Sequence, residues 1–531
     1  MVKRLALSLI ACFLLLTAFC QLPNKSIDVE HYRFSISLND ENNTISGEAA
    51  ITMRIKEEVS QVSLDLVTKN ASGKGMQVSS VSQDGTEVGF SQESDHLLIK
   101  AAAKANDHLT FVVKYSGEPD DGLIIDRNKF NQRTFFSDNW PNRAHHWIPC
   151  NDHPSDKATV EFLITAPDHY QVVCNGLKVE ESNLEQHLRL THWKEEVAIS
   201  TKIFALGVAD FAVNYIGNVG CIPIYDWLYP QDKIQGFKDY ALTKNILPWY
   251  IEHVGPYAYE KLANIQSKTI FGGVENAGAI FYAEKSVGSP DIESLLAHEL
   301  AHQWFGDQAS ETDWPHLWLS EGFATYMTHL YFESKYGTDT LKAGMVKDRK
   351  GVIKLSYKKE VPVVDSTGIL HPMELLNANS YQKGGWILHM LRRKLGDTTF
   401  WQSVRTYYEK YTGGNASTND LQTIFEATSH QKLDTFFHQW LYTPGQPKLL
   451  INWQYDTRKK QLILKIDQQQ SKPFSFPLVL KLGDEQVQSF EINQRSQVFT
   501  IPMPSKPETI IPDPDVNLLF EYQLAEGKVK K

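Results

Sequence analysis

The sequence predicts an α+β multidomain protein with an N-terminal antiparallel β domain, a mostly helical middle domain and a small C-terminal β-sandwich. Three observations support this prediction. The 531 residues of the chain are enough for three or four hydrophobic cores at roughly 150 residues per domain. Apolar and polar residues alternate near both ends of the chain, which is typical of strands. Between these two regions the spacing of the apolar residues becomes helical.

The composition is that of an ordinary globular protein. Hydrophobic residues make up 42% of the chain and charged residues 22%, which excludes a mostly disordered chain. The 53 basic and 63 acidic side chains give a net charge of −10, so the composition offers no basic surface for nucleic acid. An enzyme or a binding protein whose partners are not nucleic acids is therefore favoured.

Residues 1–20 have the pattern of a secretory signal peptide. Lys3 and Arg4 precede a nearly unbroken apolar run at 5–19, which is shorter than a comfortable membrane span. Cleavage after Cys20 and lipid modification of Cys20 are both open. We therefore expect an exported protein that is periplasmic, extracellular or lipid-anchored at the cell surface, with no transmembrane span after the signal. The sequence does not indicate an oligomeric state.

Three cysteines follow the predicted signal peptide, namely Cys150, Cys174 and Cys221. An oxidising compartment would permit a disulfide between Cys150 and Cys174, but three scattered thiols do not make a disulfide framework. The sequence leaves the redox state of this pair open.

The N-terminal β domain is predicted for residues 24–215. Short runs of alternating apolar residues are separated there by Asn, Asp and Gly turns, which is the pattern of antiparallel strands. The alternating residues include Tyr32, Phe34, Ile36, Leu38, Ile51, Met53, Ile55, Leu109, Phe111, Val113, Val160, Phe162 and Ile164.

The middle domain is predicted for residues 216–445 and is helical except for a strand-like interruption at 265–282. A Pro-Gly-Gln-Pro segment at 444–447 then interrupts the chain. The alternating pattern returns beyond it, so residues 446–531 are predicted to form the small β-sandwich.

A His-Glu-x-x-His motif lies on a predicted helix that begins near Ser289. His298 and His302 are four residues apart, so both imidazoles leave one face of the helix toward a common point. Neutral imidazole is a good zinc ligand, and two of them supply half of a tetrahedral set. Glu299 lies about 100° further round the helix, where it cannot be a ligand but can reach a water on the metal.

Glu321 is the predicted third ligand. It lies early in a second predicted helix that extends to about Tyr336, and antiparallel packing of the two helices would bring its carboxylate beside the imidazoles. Two histidines and one glutamate with a fourth position open to water are typical of a catalytic zinc site. The alternative is a pair of surface histidines and an unrelated carboxylate.

Two further segments could line such a site. Gly272 and Gly273 precede Glu275 and Asn276 just before a strand-like run, and glycines allow another backbone to approach an edge strand closely. The alternative there is a glycine-rich turn with a solvated glutamate. Tyr381 opens a helical run, and from composition alone it would be a core or capping tyrosine.

In four ordered motifs the sequence resembles the aminopeptidase N-like zinc metallopeptidases, a group of gluzincins whose relatives include leukotriene hydrolase. The motifs are GGVEN at 272–276, HELAHQWFGD at 298–307, WLSEGFA at 318–324 and YQKGG at 381–385. The resemblance implies a thermolysin-like catalytic domain at 216–445. It also implies a zinc-dependent aminopeptidase with one Zn²⁺ ion per chain, whose partners are peptide substrates with a free N-terminus.

The resemblance implies a role for each matching residue. Glu299 would be the general base, and Tyr381 would hydrogen-bond the oxyanion that forms during the reaction. The metal ligands would be His298, His302 and Glu321. The substrate-binding residues would be Gly272, Gly273, Glu275 and Asn276, of which Glu275 would hold the free α-amine.

The sequence departs from the family pattern in two places. In the leukotriene hydrolase branch a glutamine upstream of a Pro-Cys-x-Asp-x-Pro motif helps to bind the amine, and no glutamine matches it here. Asp138 and Asn139 are the candidates for this second amine anchor. Larger relatives carry a helical C-terminal domain that covers the active site, whereas strand-patterned sequence follows the catalytic domain here, so we expect a comparatively open cleft.

Other functions are compatible with part of this pattern. A zinc endopeptidase of thermolysin type would use the same metal site, but the glutamate of GGVEN argues against it. A catalytically idle surface-binding protein on the same fold would not need Glu299 or Tyr381. An epoxide hydrolase activity, known in one branch of the family, fits the same motifs.

Overall fold

The computed structural model describes residues 24–484 and 486–527. The predicted signal peptide and Cys20 therefore lie outside the described residues. Among the described helices, none is both long enough and apolar enough to cross a membrane.

The N-terminal region is built of strands that form three sheets. Its strands are β1 (Ile27–Ser37), β2 (Ile45–Ile55), β3 (Val59–Asp65), β4 (Gly75–Gln83), β5 (Thr86–Glu87), β6 (Phe90–Glu93), β7 (His96–Ala103), β8 (His108–Glu118), β9 (Leu123–Arg127), β10 (Arg133–Ser137), β11 (Lys157–Pro167), β12 (Gln171–Cys174), β13 (Leu177–Asn183), β14 (Leu188–Ser200) and β15 (Leu206–Ala209). The largest sheet has the order β13–β14–β11–β1–β2–β8–β4–β5, and the smaller ones have the orders β12–β15–β10–β9 and β3–β7–β6.

One strand pair of the N-terminal region departs from the antiparallel pattern. β1 is antiparallel to β2 on one side but parallel to β11 on the other, where His31 lies beside Thr159. The predicted inward residues of β1, among them Tyr32 and Phe34, are buried. Side chains alternate with period two in strands of either direction, so the sequence pattern identifies the buried face but not the direction.

The middle region combines helices with a mixed sheet, and a π-helical turn at Asn379–Lys383 precedes its sixth helix. The strands are β16 (Ala212–Val219), β17 (Ile222–Leu228), β18 (Leu262–Ser267), β19 (Gly273–Val274), β20 (Ala279–Ala283), β21 (Ala309–Glu311) and β22 (Gly414–Ala416). The helices are α1 (Lys233–Tyr240), α2 (Thr243–His253), α3 (Ile292–His302), α4 (Trp318–Tyr336), α5 (Thr338–Ser356), α6 (Gly384–Leu395), α7 (Asp397–Tyr411), α8 (Thr418–Ser429) and α9 (Asp434–Phe437). The main sheet has the order β16–β17–β18–β20–β19, which places β19 at its edge.

Helix α4 packs against both α3 and α6. Its contact with α6 is close, because a Cβ added to Gly322 would lie 2.8 Å from the Cα of Gly384. Two glycines therefore let the backbones of α4 and α6 approach each other. This close packing brings the π-helical turn before α6 next to the start of α4, where Glu321 lies.

The C-terminal region is a pair of packed sheets whose core continues into the helical region. Its strands are β23 (Lys448–Asp456), β24 (Gln461–Gln468), β25 (Phe476–Leu482), β26 (Gln486–Ile492), β27 (Ser496–Pro502), β28 (Ile510–Pro512) and β29 (Glu521–Glu526). The sheet orders are β27–β24–β23–β29 and β26–β25–β28. Buried residues such as Ile451 and Leu478 belong to the same apolar cluster as Phe323 of α4 and Trp386 of α6.

The three cysteines among the described residues are free thiols. Cys150 and Cys174 are buried and Cys221 is exposed. Burial raises the pKa of the Cys150 and Cys174 thiols. The disulfide that the sequence permits between these two residues is not formed.

Candidate active site

The three predicted metal ligands come together between α3 and α4. The Nε2 atoms of His298 and His302 are 3.2 Å apart, and each is 3.4 Å from Oε2 of Glu321. Ligand atoms about 2.0–2.2 Å from a tetrahedral zinc ion lie roughly 3.3–3.6 Å from one another. The three atoms therefore have the separations that a single ion of this kind requires.

Hydrogen bonds on the far side of His302 fix the orientation of its ring. Nδ1 lies 3.1 Å from the backbone oxygen of Phe305 and 3.0 Å from Oγ of Ser320. A carbonyl can only accept, so Nδ1 carries a proton and Nε2 is the nitrogen that faces Glu321. Such contacts behind a metal-binding histidine select the tautomer that can bind the metal.

The pKa of each side chain in the cluster depends on burial and on the charges of the other two. Burial lowers the pKa of His298, which favours the neutral ring that can act as a ligand. Burial would also lower the pKa of His302, but the Glu321 carboxylate outweighs it and holds this pKa at about 10. Burial would raise the pKa of Glu321, yet the two imidazoles hold it below its usual range. The negative charge of Glu321 thus favours a positive charge beside it. A metal cation between the three side chains would supply that positive charge.

Glu299 lies on the same helix as the histidines and faces the edge strand β19. Its side chain is buried, and an added Cβ on Gly273 would lie 2.4 Å from its Oε1. A side chain at this position would displace the carboxyl group from its place beside β19. Burial raises the pKa of Glu299 well above its usual range, and the nearby carboxylates of Glu275 and Glu321 raise it further. This carboxyl group is therefore suited to taking up a proton.

Glu275 follows β19 directly, and its side chain lines the same cavity as the histidines. The residue is only 6% exposed, and its Oε1 is buried with no hydrogen-bond partner in the described part of the chain. A buried carboxylate oxygen without a partner is costly unless a ligand satisfies it. Gly272 and Gly273 line the cavity beside it.

Three residues considered for substrate binding are placed elsewhere. Asn276 is buried and does not line the cavity, because the chain turns away from β19 after Glu275, with the backbone N–H of Ala279 donating to the Asn276 oxygen. Asp138 pairs with Arg143, and Asn139 donates to backbone oxygens. These two candidates for the second amine anchor are thus engaged in holding the fold.

Tyr381 lies in the π-helical turn before α6 and stacks on a predicted ligand. Its ring is nearly parallel to that of His298, at 15° and with centroids 5.9 Å apart. Burial raises the pKa of Tyr381 well above its usual range, and Glu321 raises it further. The hydroxyl therefore stays protonated and can donate a hydrogen bond toward the cavity that it lines.

The cavity has a volume of about 200 Å³ and apolar walls that the sequence did not reveal. The polar part consists of the residues described above. The apolar lining residues are Trp140, Phe271, Val274, Leu295 and Leu376. Trp140, Phe271 and Leu376 belong to a small apolar cluster of their own, which includes Trp314. Trp140 and Leu376 come from segments far from the four motifs and carry no local sequence signal for a binding site, whereas Val274 lies within GGVEN.

This combination of fold and site is that of a peptidase with a metal-binding cluster of two histidines and one glutamate. The chain belongs to peptidase family M1. The model of the peptidase family M1 domain matches residues 239–440, and that of the peptidase M1 N-terminal domain matches residues 28–203. The two matches cover most of the N-terminal sheets and most of the helical region.

Several curated proteins are similar to this chain. Probable aminopeptidase 1 of Sulfurisphaera tokodaii is 24% identical over 501 residues, which covers 90% of this chain and 59% of the relative. Leucyl aminopeptidase of Saccharolobus solfataricus is 25% identical, with 80% and 55% covered. Human glutamyl aminopeptidase is 25% identical, with 68% and 40% covered. The chain thus spans about half the length of the curated relatives that it matches.

Proposed function

We propose that this protein is a zinc-dependent aminopeptidase that removes N-terminal residues from peptides. The observation that carries the proposal is the position of Glu275, whose carboxylate shares one cavity with Glu299 and the metal-binding cluster. A buried carboxylate is suited to a charged α-ammonium group. A glutamate so close to the reaction centre would require the amine of the first residue, which distinguishes an aminopeptidase from an endopeptidase. The names of the relatives support this proposal.

Zinc is the proposed metal, with one ion per chain held by His298, His302 and Glu321. Two imidazoles and one carboxylate at these separations are a set of ligands that zinc uses in catalytic sites. When bound, zinc would polarise the peptide carbonyl and lower the pKa of a water molecule.

The residues around the cluster would carry out the remaining steps. Glu299 would take a proton from the attacking water and pass it to the leaving amine, since its carboxyl group lines the same cavity as the three predicted ligands. Tyr381 would donate a hydrogen bond to the oxyanion that develops on the peptide carbonyl. The free edge of β19 would hold the substrate backbone, as an exposed strand edge can pair with an extended peptide.

Removal of the charge on the substrate amine tests the proposed function directly. The parent enzyme should cleave a short peptide with a free N-terminus and fail to cleave its N-acetylated form. Glu275→Gln should lower kcat/KM for the free peptide about 10- to 100-fold, the range expected for a lost hydrogen bond to a charged group. Steady-state kinetics on both peptides give the answer, and zinc content should not change. Efficient cleavage of the acetylated peptide would instead support the endopeptidase.

Export is proposed from the sequence of residues 1–20 alone. Their positive start followed by an apolar run is the pattern of a secretory signal. The mature protein should therefore begin after the apolar run, outside the cytoplasm. N-terminal sequencing and mass determination of protein from cell fractions check this and detect a lipid on Cys20. Uncleaved protein confined to the cytoplasm would contradict export.

A further inference from the structure

Gln303 follows the second metal-binding histidine and joins α3 to the loop that carries Glu275. The side chain is 1% exposed. Its Oε1 accepts a hydrogen bond of 2.8 Å from the backbone N–H of Gly278. Its Nε2 donates to the backbone oxygen of Glu275 and to Oδ2 of Asp307, both at 2.8 Å. The amide thus spans the turn at 275–278 and ties both ends of it to the end of α3.

Only one orientation of this amide satisfies its neighbours. If the amide were turned over, its oxygen would face the Glu275 oxygen and its NH₂ group would face the Gly278 N–H, so both contacts would be repulsive. Asp307 holds the correct orientation by accepting the second proton of Nε2. Lys157, from β11, donates to the backbone oxygens of Asp307 and Gln308 at 2.9 and 2.7 Å. The backbone that carries Asp307 is therefore held from the N-terminal region as well.

The carboxylate of Glu275 depends on this arrangement. Its Oε1 has no hydrogen-bond partner in the part of the chain that the structure describes, so the position of the carboxylate follows that of its backbone. Gln303 holds that backbone relative to His302, its immediate neighbour on α3. A change in Gln303 would therefore alter the distance from Glu275 to the metal cluster.

We infer that Gln303 is a positioning residue that sets the distance between Glu275 and the three predicted metal ligands. Through this distance it determines how strictly a free N-terminal amine is required. This inference rests on the proposed function. Gln303 does not line the cavity and acts only through the Glu275 loop. Its loss should therefore weaken recognition of the substrate amine and leave metal binding intact.

The test compares two metal-binding inhibitors, leucine hydroxamate and its des-amino analogue 4-methylpentanehydroxamate. The Kd of the des-amino compound divided by the Kd of leucine hydroxamate measures the contact with the amine. This ratio can be determined without turnover. In the parent protein the amine should improve affinity about 10- to 100-fold, as expected for a charged hydrogen bond. Gln303→Met keeps the length of the side chain but removes its four hydrogen bonds, the fourth being one that Oε1 accepts from the Tyr257 hydroxyl at 3.4 Å. It should lower this ratio about tenfold, with unchanged zinc content and unchanged affinity for the des-amino compound.

Gln266→Met is the matched control. Gln266 is also fully buried, accepts from the backbone N–H of Tyr229 and donates to the backbone oxygen of Glu284, away from the cavity. It should lower Tm as Gln303→Met does, but leave the affinity ratio unchanged. Should Gln303→Met fail to fold, Gln303→Asn serves instead, because its amide is polar but too short to span the turn.

The outcomes separate the inference from the proposed function. An unchanged ratio in the Gln303 variant, with only a lower Tm, would overturn the positioning role. An equal loss of affinity for both hydroxamates would overturn it too, because it would mean general damage to the metal site. If the parent protein itself shows no preference for the amino compound, Glu275 does not hold an amine, and both the proposed function and this inference are wrong.

Discussion

Glu299→Gln should lower kcat by roughly 10²- to 10⁴-fold, the contribution typical of a general base. The amide has nearly the same size as the carboxylate and fits against Gly273, but it cannot take a proton from water. Since Glu299 is not one of the three clustered ligand groups, zinc content should stay at one ion per chain. Steady-state kinetics with an aminoacyl chromogenic substrate and elemental analysis measure both quantities.

Glu293→Gln is the control for this variant. Glu293 lies on the same helix, and its carboxylate accepts from Tyr331 and Tyr336 rather than facing the cavity. It should keep near-parent activity. Near-parent turnover in Glu299→Gln would show that another group accepts the proton.

Tyr381→Phe in the same assay should lower kcat about a hundredfold, because a single hydrogen-bond donor to the oxyanion is removed.

Glu321→Ala should abolish activity by releasing the metal. The variant removes one of three ligands and leaves two imidazoles, which hold zinc far less tightly. Zinc content should fall well below one per chain, and activity should vanish with it. The parent protein should be stabilised by zinc, by about 2.7 kcal/mol at a free concentration one hundred times Kd, and the variant should not.

Glu299→Gln also serves as the control for metal loss, because it should retain zinc while losing activity. A chelator should inactivate the parent protein, and added zinc should restore it. Full activity of a Glu321→Ala protein that elemental analysis finds free of transition metals would contradict the metal site. The pair of variants thus separates loss of the metal from loss of the base.

The three clustered ligand side chains could be predicted from the sequence because their arrangement depends on local geometry. A spacing of four residues brings His298 and His302 to the same face of a helix. This is true in any fold that keeps the helix. Glu321 could be predicted because it begins the next long helix and the two helices pack as neighbours. Assignment of Tyr381 and Glu275 to this cavity rested on motifs, since neither residue has a local pattern that distinguishes it from a core or surface residue.

The remaining parts of the site depend on contacts between distant segments. Trp140 reaches the cavity from the N-terminal region and Leu376 from the loop before α6. Gln303 holds the Glu275 turn through hydrogen bonds that no spacing predicts. For the same reason, the alternation in β1 and β11 identifies their buried faces but not their parallel pairing. Periodicity reports which side is buried, and tertiary packing decides which segments meet.

The edge position of β19 bears on which groups of a peptide the proposed enzyme would recognise. Pairing along a strand edge uses the amide groups that every peptide possesses, so it distinguishes extended from compact chains but not one sequence from another. Discrimination would then be confined to the terminal charge and to the side chains that enter a space of about 200 Å³. Such an enzyme would recognise the N-terminus of a peptide and would accept most of the sequences that follow it.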